Sequence, residues 1–275
     1  MIKLAINQNS CKNLSLLRFI KFSKDFKGVE LNFKEIKKEV SENVKLKDIL
    51  ETLERYNLKV YSIFSLKDFS LCSERDFKIK ILSNLIQMFN FCHKLESELI
   101  IVNPSKLEFS LESDIVPKWR VINKTRKRLE EILKKANSED INIGFEFLSD
   151  SSISTLSDAK EVLEPFESHE NLGYIIDLFH VVKSGSDHNQ LKIIKDFIFL
   201  IQLCDLEYDK ENITDTSSSL VKRVFPGEGY YELKDFIKFS QKIGYLKTYS
   251  LELSKYECSD NLYKKLHIYY LNNIQ

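Results

Sequence analysis

The feature that most constrains this chain is the alternation of short apolar runs with longer amphipathic segments. The apolar runs are rich in residues that favour strands, and they recur at intervals of roughly 25–45 residues. Alternation of this kind predicts parallel strands joined by helices. Eight strands and eight helices can be counted, and this number favours a closed barrel over an open sheet. Residues 1–275 are therefore predicted to form one domain, a single (β/α)8 barrel.

Two missing motifs argue against the open, doubly wound sheet that binds nucleotides. Such a sheet needs a glycine-rich turn after its first strand, and the corresponding segment NQNSCKN, at residues 7–13, has no glycine. The chain also lacks the GxxxxGKS/T pattern that cradles phosphate groups. An α/β protein built as a TIM barrel of parallel strands is the prediction that remains.

Composition disfavours several classes of partner. The 41 basic and 41 acidic residues are intermixed and give a net charge of zero, so no broad surface for nucleic acid or an anionic membrane is expected. No apolar run approaches the roughly 18 residues that a membrane-spanning helix requires. The N-terminal segment has no cleavage site of a secretory signal, so a cytoplasmic protein is expected.

The cysteines fit the same compartment. They are odd in number, widely spaced and mostly embedded in apolar segments, which predicts free buried thiols in a reducing environment. No CxxC pair indicates a thiolate metal site. The cysteines are Cys11, Cys72, Cys92, Cys204 and Cys258.

One stretch, NLGYIIDLFH at Asn171–His180, brings polar residues to the end of a buried strand. The strand is predicted at Gly173–Ile176, and Asp177 and His180 follow it. Active sites of parallel α/β proteins form where strands stop and loops begin, so both residues are candidates for chemistry. The alternative is that Asp177 caps a helix and His180 fills space beside it.

Four predicted strand ends in the second half of the chain carry polar residues inside apolar sequence. Burying one carboxylate costs several kcal/mol unless it is paired, so three that converge imply a compensating cation. Carboxylate and amide oxygens are hard ligands that suit Mg²⁺ or Mn²⁺, and Zn²⁺ or Co²⁺ also fit. The alternative is four unrelated rim residues in salt bridges with local lysines. The residues are Glu146, Asp177, Gln202 and Glu252.

The loop Arg223–Gly229, sequence RVFPGEG, combines a proline with two glycines. Glycines let backbone approach a ligand closely, so Arg223 is predicted to bind a carboxylate, phosphate or hydroxyl group of a substrate. Glu228 is predicted to orient Arg223. The alternative is a tight connector with Arg223 in a surface salt bridge.

These motifs together resemble a known family. GFEF with Glu146, IIDLFH, IQLCD, RVFPGEG, and YSLEL with Glu252 resemble the xylose isomerase-like barrels, the superfamily of sugar isomerases and epimerases. The resemblance is strongest over residues 141–253, and GVELNF and LIIVNPS extend it in pattern to the first half. Within the superfamily, NLGYIIDLFH and the Arg-x-x-Pro-Gly-x-Gly loop are most similar to the inosose isomerase branch.

The resemblance implies one divalent metal ion, Mn, Mg, Co or Zn, held by Glu146, Asp177, Gln202 and Glu252. It implies a sugar or keto-polyol isomerase or epimerase that moves a proton next to a carbonyl through an enediolate. The two glutamates would lie on opposite sides of the substrate, one removing the proton and the other returning it. Many relatives have histidine where this chain has Gln202.

The resemblance also implies partners and alternatives. The ligand would be a small-molecule sugar or cyclic keto-polyol, with His180, Arg223 and Glu228 among the residues that bind it. Homo-oligomers are common in the family. A dehydratase of an inosose or dehydroshikimate would use the same metal site, and a non-catalytic sugar-binding barrel is a further alternative. The family's apurinic endonucleases are disfavoured, because strands three and four end without histidines.

Overall fold

A computed structural model describes residues 3–42, 44–106, 116–208, 221–253 and 265. Eight parallel strands form a closed barrel in the order β1-β10-β7-β6-β5-β4-β3-β2. Its first seven strands are β1 (Lys3–Asn7), β2 (Gly28–Asn32), β3 (Lys59–Leu66), β4 (Leu99–Val102), β5 (Asn142–Phe145), β6 (Leu172–Asp177) and β7 (Ile198–Leu203). Next come β8 (Asp205–Tyr208) and β9 (Val221–Val224), an antiparallel pair outside the barrel, and β10 (Thr248–Leu251) completes it. The predicted (β/α)8 fold class is confirmed.

The strands of the barrel are buried on both faces. Every residue of β4, β6 and β10 is buried, as expected for parallel strands covered by helices outside and packed side chains inside. β1 pairs with β2 on one side and with β10 on the other, which joins the two ends of the chain's sheet. The carboxyl ends of all eight strands therefore surround one opening.

Helices cover the outside of the barrel, and the longer ones bury an apolar stripe. In the long helix that precedes β5, apolar residues at helical spacing are buried throughout, namely Val121, Ile122, Leu129, Ile132 and Leu133. A π-helical turn at Phe77–Ile81 joins the fourth and fifth helices. The helices are α1 (Leu16–Phe22), α2 (Phe33–Ser41), α3 (Leu46–Arg55), α4 (Glu74–Asp76), α5 (Leu82–Leu95), α6 (Lys118–Ser138), α7 (Leu156–Leu163), α8 (Leu178–Lys183), α9 (Leu191–Ile194) and α10 (Leu233–Lys242).

The structure departs from the sequence pattern at a few places. The sequence pattern does not predict β8 and β9 as strands, because each is short and pairs only with the other. The prediction of free cysteines is wrong for Cys11, which is disulfide-bonded, and holds for Cys72, Cys92 and Cys204. The predicted Ser-rich loop Asn212–Ser219 and final helix Leu262–Leu271 lie outside the described residues, apart from Lys265. Within the described ranges, no helix has the length and apolar character to cross a bilayer.

Candidate active site

The four predicted metal ligands come together at the carboxyl ends of four adjacent strands. Glu146 follows β5, Asp177 ends β6, Gln202 lies near the end of β7, and Glu252 follows β10. These strands are consecutive around the barrel, so the four side chains form one arc of its rim. Asp177 and Gln202 are direct partners in the β6–β7 register. Parallel pairing therefore gathers residues that span more than a hundred positions in sequence.

Glu146 is a buried carboxylate in an acidic environment. The amide of Asn103 donates to its Oε2 at 2.7 Å, which fixes the side chain. Burial, and then the nearby charges of Glu252 and Asp177, raise the pKa of Glu146 well above its usual value. Such crowding is unfavourable unless a proton or a cation neutralises it.

Asp177 binds the guanidinium of Arg223 through both carboxylate oxygens. Nη1 of Arg223 donates to Oδ1 at 2.9 Å, and Nη2 donates to Oδ2. Asp177 also caps α8, because the Phe179 N–H donates to Oδ1 at 2.9 Å. The capping alternative is therefore confirmed, and a functional role of Asp177 stays a prediction. The surface salt bridge considered for Arg223 is wrong, since the Arg223 side chain is only 10% exposed.

Arg223 supplies positive charge inside the acidic rim. Burial opposes the guanidinium charge, but Asp177 and Glu252 outweigh burial and raise the pKa of Arg223 above its usual value. The guanidinium also donates to the Glu252 carbonyl at 3.3 Å and lies 4.4 Å from the centre of the Phe179 ring. Arg223 is thus permanently charged and held from several sides.

Gln202 is oriented by a residue from the opposite side of the barrel. Its Nε2 lies 3.2 Å from each carboxylate oxygen of Glu30, on β2. Its Oε1 is buried and has no hydrogen-bond partner among the described residues. A buried acceptor without a donor is rare in folded proteins, and this amide oxygen is available to bind a cation.

Glu252 is partly buried and receives two amide groups from the first strand and its following turn. The side chains of Asn7 and Asn9 donate to its two oxygens at 3.4 and 3.3 Å. Removal from water raises the pKa of Glu252, and the positive charge of Arg223 opposes that rise. Glu252 and Glu146 lie at the two ends of the four-strand arc, with Asp177 and Gln202 between them.

This donor set fits a divalent metal ion. Three carboxylates, two of which are glutamates with a raised pKa, and an amide oxygen without a hydrogen-bond partner among the described residues suit a hard cation. Donor atoms of Glu146, Asp177 and His180 lie within 4.8 Å of one another, so His180 is a further candidate for the ligand set.

His180 has its Nδ1 already in use as an acceptor. The Ser149 backbone N–H donates to Nδ1 at 3.1 Å. Burial, and then Arg223, lower the pKa of His180 to about 3, so the ring is neutral and its single proton lies on Nε2. Nε2 lies 3.7 Å from Oδ2 of Asp177. His180 therefore presents an N–H donor to the site, which suits a substrate oxygen better than a metal ion.

A single carboxylate, Asp205, shapes the loop that follows Arg223. It accepts backbone N–H groups from Leu206 at 2.7 Å, Gly227 at 2.9 Å, Gly229 at 3.0 Å and Tyr231 at 3.1 Å. The two glycines thus bring backbone close to Asp205. Four donors on one buried carboxylate hold the loop, and with it β9, in one conformation.

Glu228 occupies a different position from the other predicted site residues. It is exposed, and its carboxylate pairs with Lys265. The carboxylate that orients Arg223 is therefore Asp177. A role of Glu228 in binding substrate stays a prediction.

We expect Gly229→Ala to destabilise the protein by about 1–3 kcal/mol, the usual cost of overpacking. An added Cβ would lie 2.2 Å from Oδ1 of Asp205 and 2.3 Å from the Leu206 carbonyl, and both atoms are fixed by hydrogen bonds. Urea unfolding measures the loss. Gly185→Asn is the control, because a Cβ there meets nothing within 4 Å and asparagine tolerates its positive φ. Equal stability of the two variants would contradict this account of the loop.

Sequence reasoning missed the residues that support the ligands. From the sequence, Glu30 within GVELNF could point into the barrel mouth or lie at its rim; it is fully buried, and burial followed by the charge of Glu252 raises its pKa to about 7. Asn7 and Asn103, at the ends of two strands, could from the sequence contact a polyol or cap a helix, and in the structure both donate to carboxylates of the site. Polar residues at the ends of apolar strands were the available signal, but nothing in the sequence gives their partners.

A parallel barrel with converging carboxylates at the carboxyl ends of its strands belongs to the class of (β/α)8 proteins that carry their active sites there. The chain belongs to the xylose isomerase-like TIM barrel family, whose model matches residues 23–267. An inosose isomerase of Bacillus velezensis is 24% identical over 216 residues, which cover 77% of this chain and 73% of that protein. The resemblance to this family is confirmed.

Solved structures agree in fold. The crystal structure of IolI protein with a bound zinc atom has a TM-score of 0.80 and 21% identity, covering 96% of this chain and 91% of that chain. The probable 3-DHS dehydratase AsbF from Bacillus anthracis, involved in petrobactin synthesis, has a TM-score of 0.74 and 16% identity, with 100% of both chains covered. At these identities, the likeness concerns the barrel itself.

Proposed function

We propose that the protein is a divalent-metal-dependent isomerase or epimerase of a sugar or keto-polyol. The observation that carries the proposal is the arc of three carboxylates and one unpaired amide oxygen at the barrel mouth, with a glutamate at each end. Membership of the family and similarity to an inosose isomerase support the same class of reaction.

Glu146, Asp177, Gln202 and Glu252 would hold the metal ion. When bound, a divalent ion would polarise the substrate carbonyl and stabilise negative charge on its oxygen. Mn²⁺, Mg²⁺, Co²⁺ and Zn²⁺ are all compatible with oxygen donors, and the IolI structure, which shares this fold, contains a bound zinc atom.

Glu146 and Glu252 are the proposed proton-transfer groups. Because they stand at opposite ends of the arc, a substrate between them would present one carbon to a carboxylate on each side. One carboxylate removes the proton beside the carbonyl, and the other returns a proton to the enediolate. Asn103 holds Glu146, and Asn9 holds Glu252, so neither group needs to reorganise during the reaction.

His180 and Arg223 would bind substrate oxygens. The Nε2–H of His180 is a neutral donor, which suits a hydroxyl group. Arg223 is charged and buried beside Asp177, so it can stabilise negative charge that develops nearby. Glu228 is proposed to contribute to the loop that binds substrate. The substrate would be a small molecule in the cytoplasm. The sequence predicts no surface for nucleic acid or a membrane.

The experiment is metal analysis of protein purified without chelator, followed by deuterium uptake from D₂O into ketoses, inososes and dehydroshikimate. We expect one divalent ion per chain and deuterium at the carbon beside the carbonyl. Loss of water from the substrate, detected as an enone, would instead identify the dehydratase. Metal binding without deuterium uptake in any substrate would favour a non-catalytic sugar-binding barrel. Absence of bound metal after reconstitution with Mn²⁺ or Mg²⁺ would overturn the proposal.

A further inference from the structure

The side chain of Glu30 crosses the barrel interior to reach Gln202. Glu30 lies on β2 and Gln202 on β7, and the two strands are separated around the barrel by β1 and β10. Both carboxylate oxygens of Glu30 face the Nε2 of Gln202 at 3.2 Å, and both residues are almost fully buried. The contact is therefore shielded from water and strongly directional.

Glu30 is itself fixed by donors from the two strands beside it. Asn7 on β1 donates to Oε1 at 3.1 Å, and Ser62 on β3 donates to Oε2 at 2.8 Å. The carboxylate is thus held in place without help from Gln202. In its ionised form it offers Gln202 acceptors only, so the amide then turns its NH₂ toward Glu30 and its oxygen away from it.

The opposite orientation of the amide would bring three oxygens together. Oε1 of Gln202 would then face the two oxygens of Glu30, which is repulsive, and the NH₂ would point into the acidic arc where a cation would bind. The observed orientation leaves Oε1 buried and without a partner among the described residues. An amide can serve a metal ion only through that oxygen.

We propose that Glu30 is a positioning residue that fixes the amide orientation of Gln202, so that the Gln202 oxygen faces the metal ion. The inference rests on the proposed metal-dependent function and deepens it. A histidine ligand needs a partner to fix its tautomer, and an amide ligand needs one to fix which of its two atoms faces the metal. Asn7 joins Glu30 to Glu252 as well, so the same carboxylate supports two of the four proposed ligands.

The test is titration of metal-stripped protein with Mn²⁺, followed by calorimetry. We expect Glu30→Gln and Glu30→Asp each to weaken Mn²⁺ binding by about 10–100-fold, the usual effect of losing a residue that orients a ligand. Glu30→Asp retains the negative charge but withdraws it from Gln202, so it separates orientation from simple electrostatic attraction. Thr125→Val is the control, because it removes a buried hydroxyl that donates to the Val121 carbonyl within α6.

The exchange of the two residues gives a further variant, which is compared with Gln202→Glu alone because a carboxylate at position 202 is itself a stronger ligand than an amide. In Glu30→Gln/Gln202→Glu, the amide donates and the carboxylate accepts, so an oxygen again faces the metal whichever way the groups turn. We expect this double variant to recover Mn²⁺ affinity to within about 5-fold of the wild type, against the 10–100-fold loss in the single variants. A merely structural defect at position 30 would persist in the double variant.

Several outcomes would overturn the inference. Unchanged Mn²⁺ affinity in both single variants would overturn it. A loss of Mn²⁺ affinity in Glu30→Gln but not in Glu30→Asp would also overturn it, because it would mean that Glu30 contributes only its charge. If the variants do not fold, a crystal structure of the Mn²⁺-loaded wild type decides, because Gln202 turned away from either the ion or Glu30 contradicts the proposal. Wild-type protein that binds no divalent ion would overturn the proposed function as well, so the two failures are distinguishable.

Discussion

Glu146→Gln and Glu252→Gln are each expected to lower turnover by about 10²–10⁴-fold while the fold stays intact, because each removes one group that carries a proton. Glutamine keeps the shape of the side chain and can still accept the hydrogen bonds from Asn103 or Asn9. Steady-state kinetics on the substrate identified by deuterium uptake measures the loss, and circular dichroism checks the fold. Glu54→Gln, at an exposed position on α3, is the matched control.

The two variants should differ in one further respect. If the groups act on opposite sides of the substrate, the variant that keeps the base can still remove a proton and return deuterium to the same side. It would then exchange the substrate hydrogen with D₂O without forming product. The other variant would neither exchange the hydrogen nor form product. Wild-type turnover in either variant would remove that residue from proton transfer. Equal exchange in both would contradict the arrangement on opposite sides.

Arg223→Met is expected to reduce the free energy of unfolding of the metal-stripped protein by about 3–5 kcal/mol. The change leaves Asp177 buried without its bidentate partner, beside two glutamates whose charges already disfavour one another. Urea unfolding at neutral pH measures the loss. Lys222→Met is the matched control, since its exposed pair with Glu207, at 3.5 Å, is expected to contribute under about 1 kcal/mol.

Metal should restore part of the stability lost in Arg223→Met. A divalent ion that binds the folded state would neutralise the same carboxylates, so Mn²⁺ should stabilise Arg223→Met more than it stabilises the wild type. The comparison is made by urea unfolding with and without Mn²⁺. An equal gain in the two proteins would mean that Arg223 and the metal site are energetically independent, and a stable metal-free variant would contradict the role of the buried pair.

The arc of proposed ligands could be predicted because its signals are local. Glu146, Asp177, Gln202 and Glu252 each interrupt an apolar strand near its carboxyl end, and parallel strands present those ends to one opening. The buried apolar face of α6 can be predicted equally well, because helical spacing alone indicates which of its residues face the core.

The supporting contacts could not be predicted, because they depend on how the barrel closes. Glu30 and Gln202 are 172 positions apart and meet only across its interior. Arg223 reaches Asp177 because it lies on β9, which pairs with β8, and the sequences of these short strands show no clear periodicity. The disulfide of Cys11 was missed for a related reason, since spacing along the chain gives no distance in space.

The anchoring of the loop by Asp205 has a consequence for how this barrel could change its specificity. Arg223 is placed by the pairing of β8 with β9 and by one carboxylate at the base of the hairpin, where Asp205 pairs with Val224. The position of Arg223 therefore depends on contacts made within Asp205–Tyr208 and Val221–Tyr231 and with Asp177, so other residues of the barrel mouth could change without moving the guanidinium.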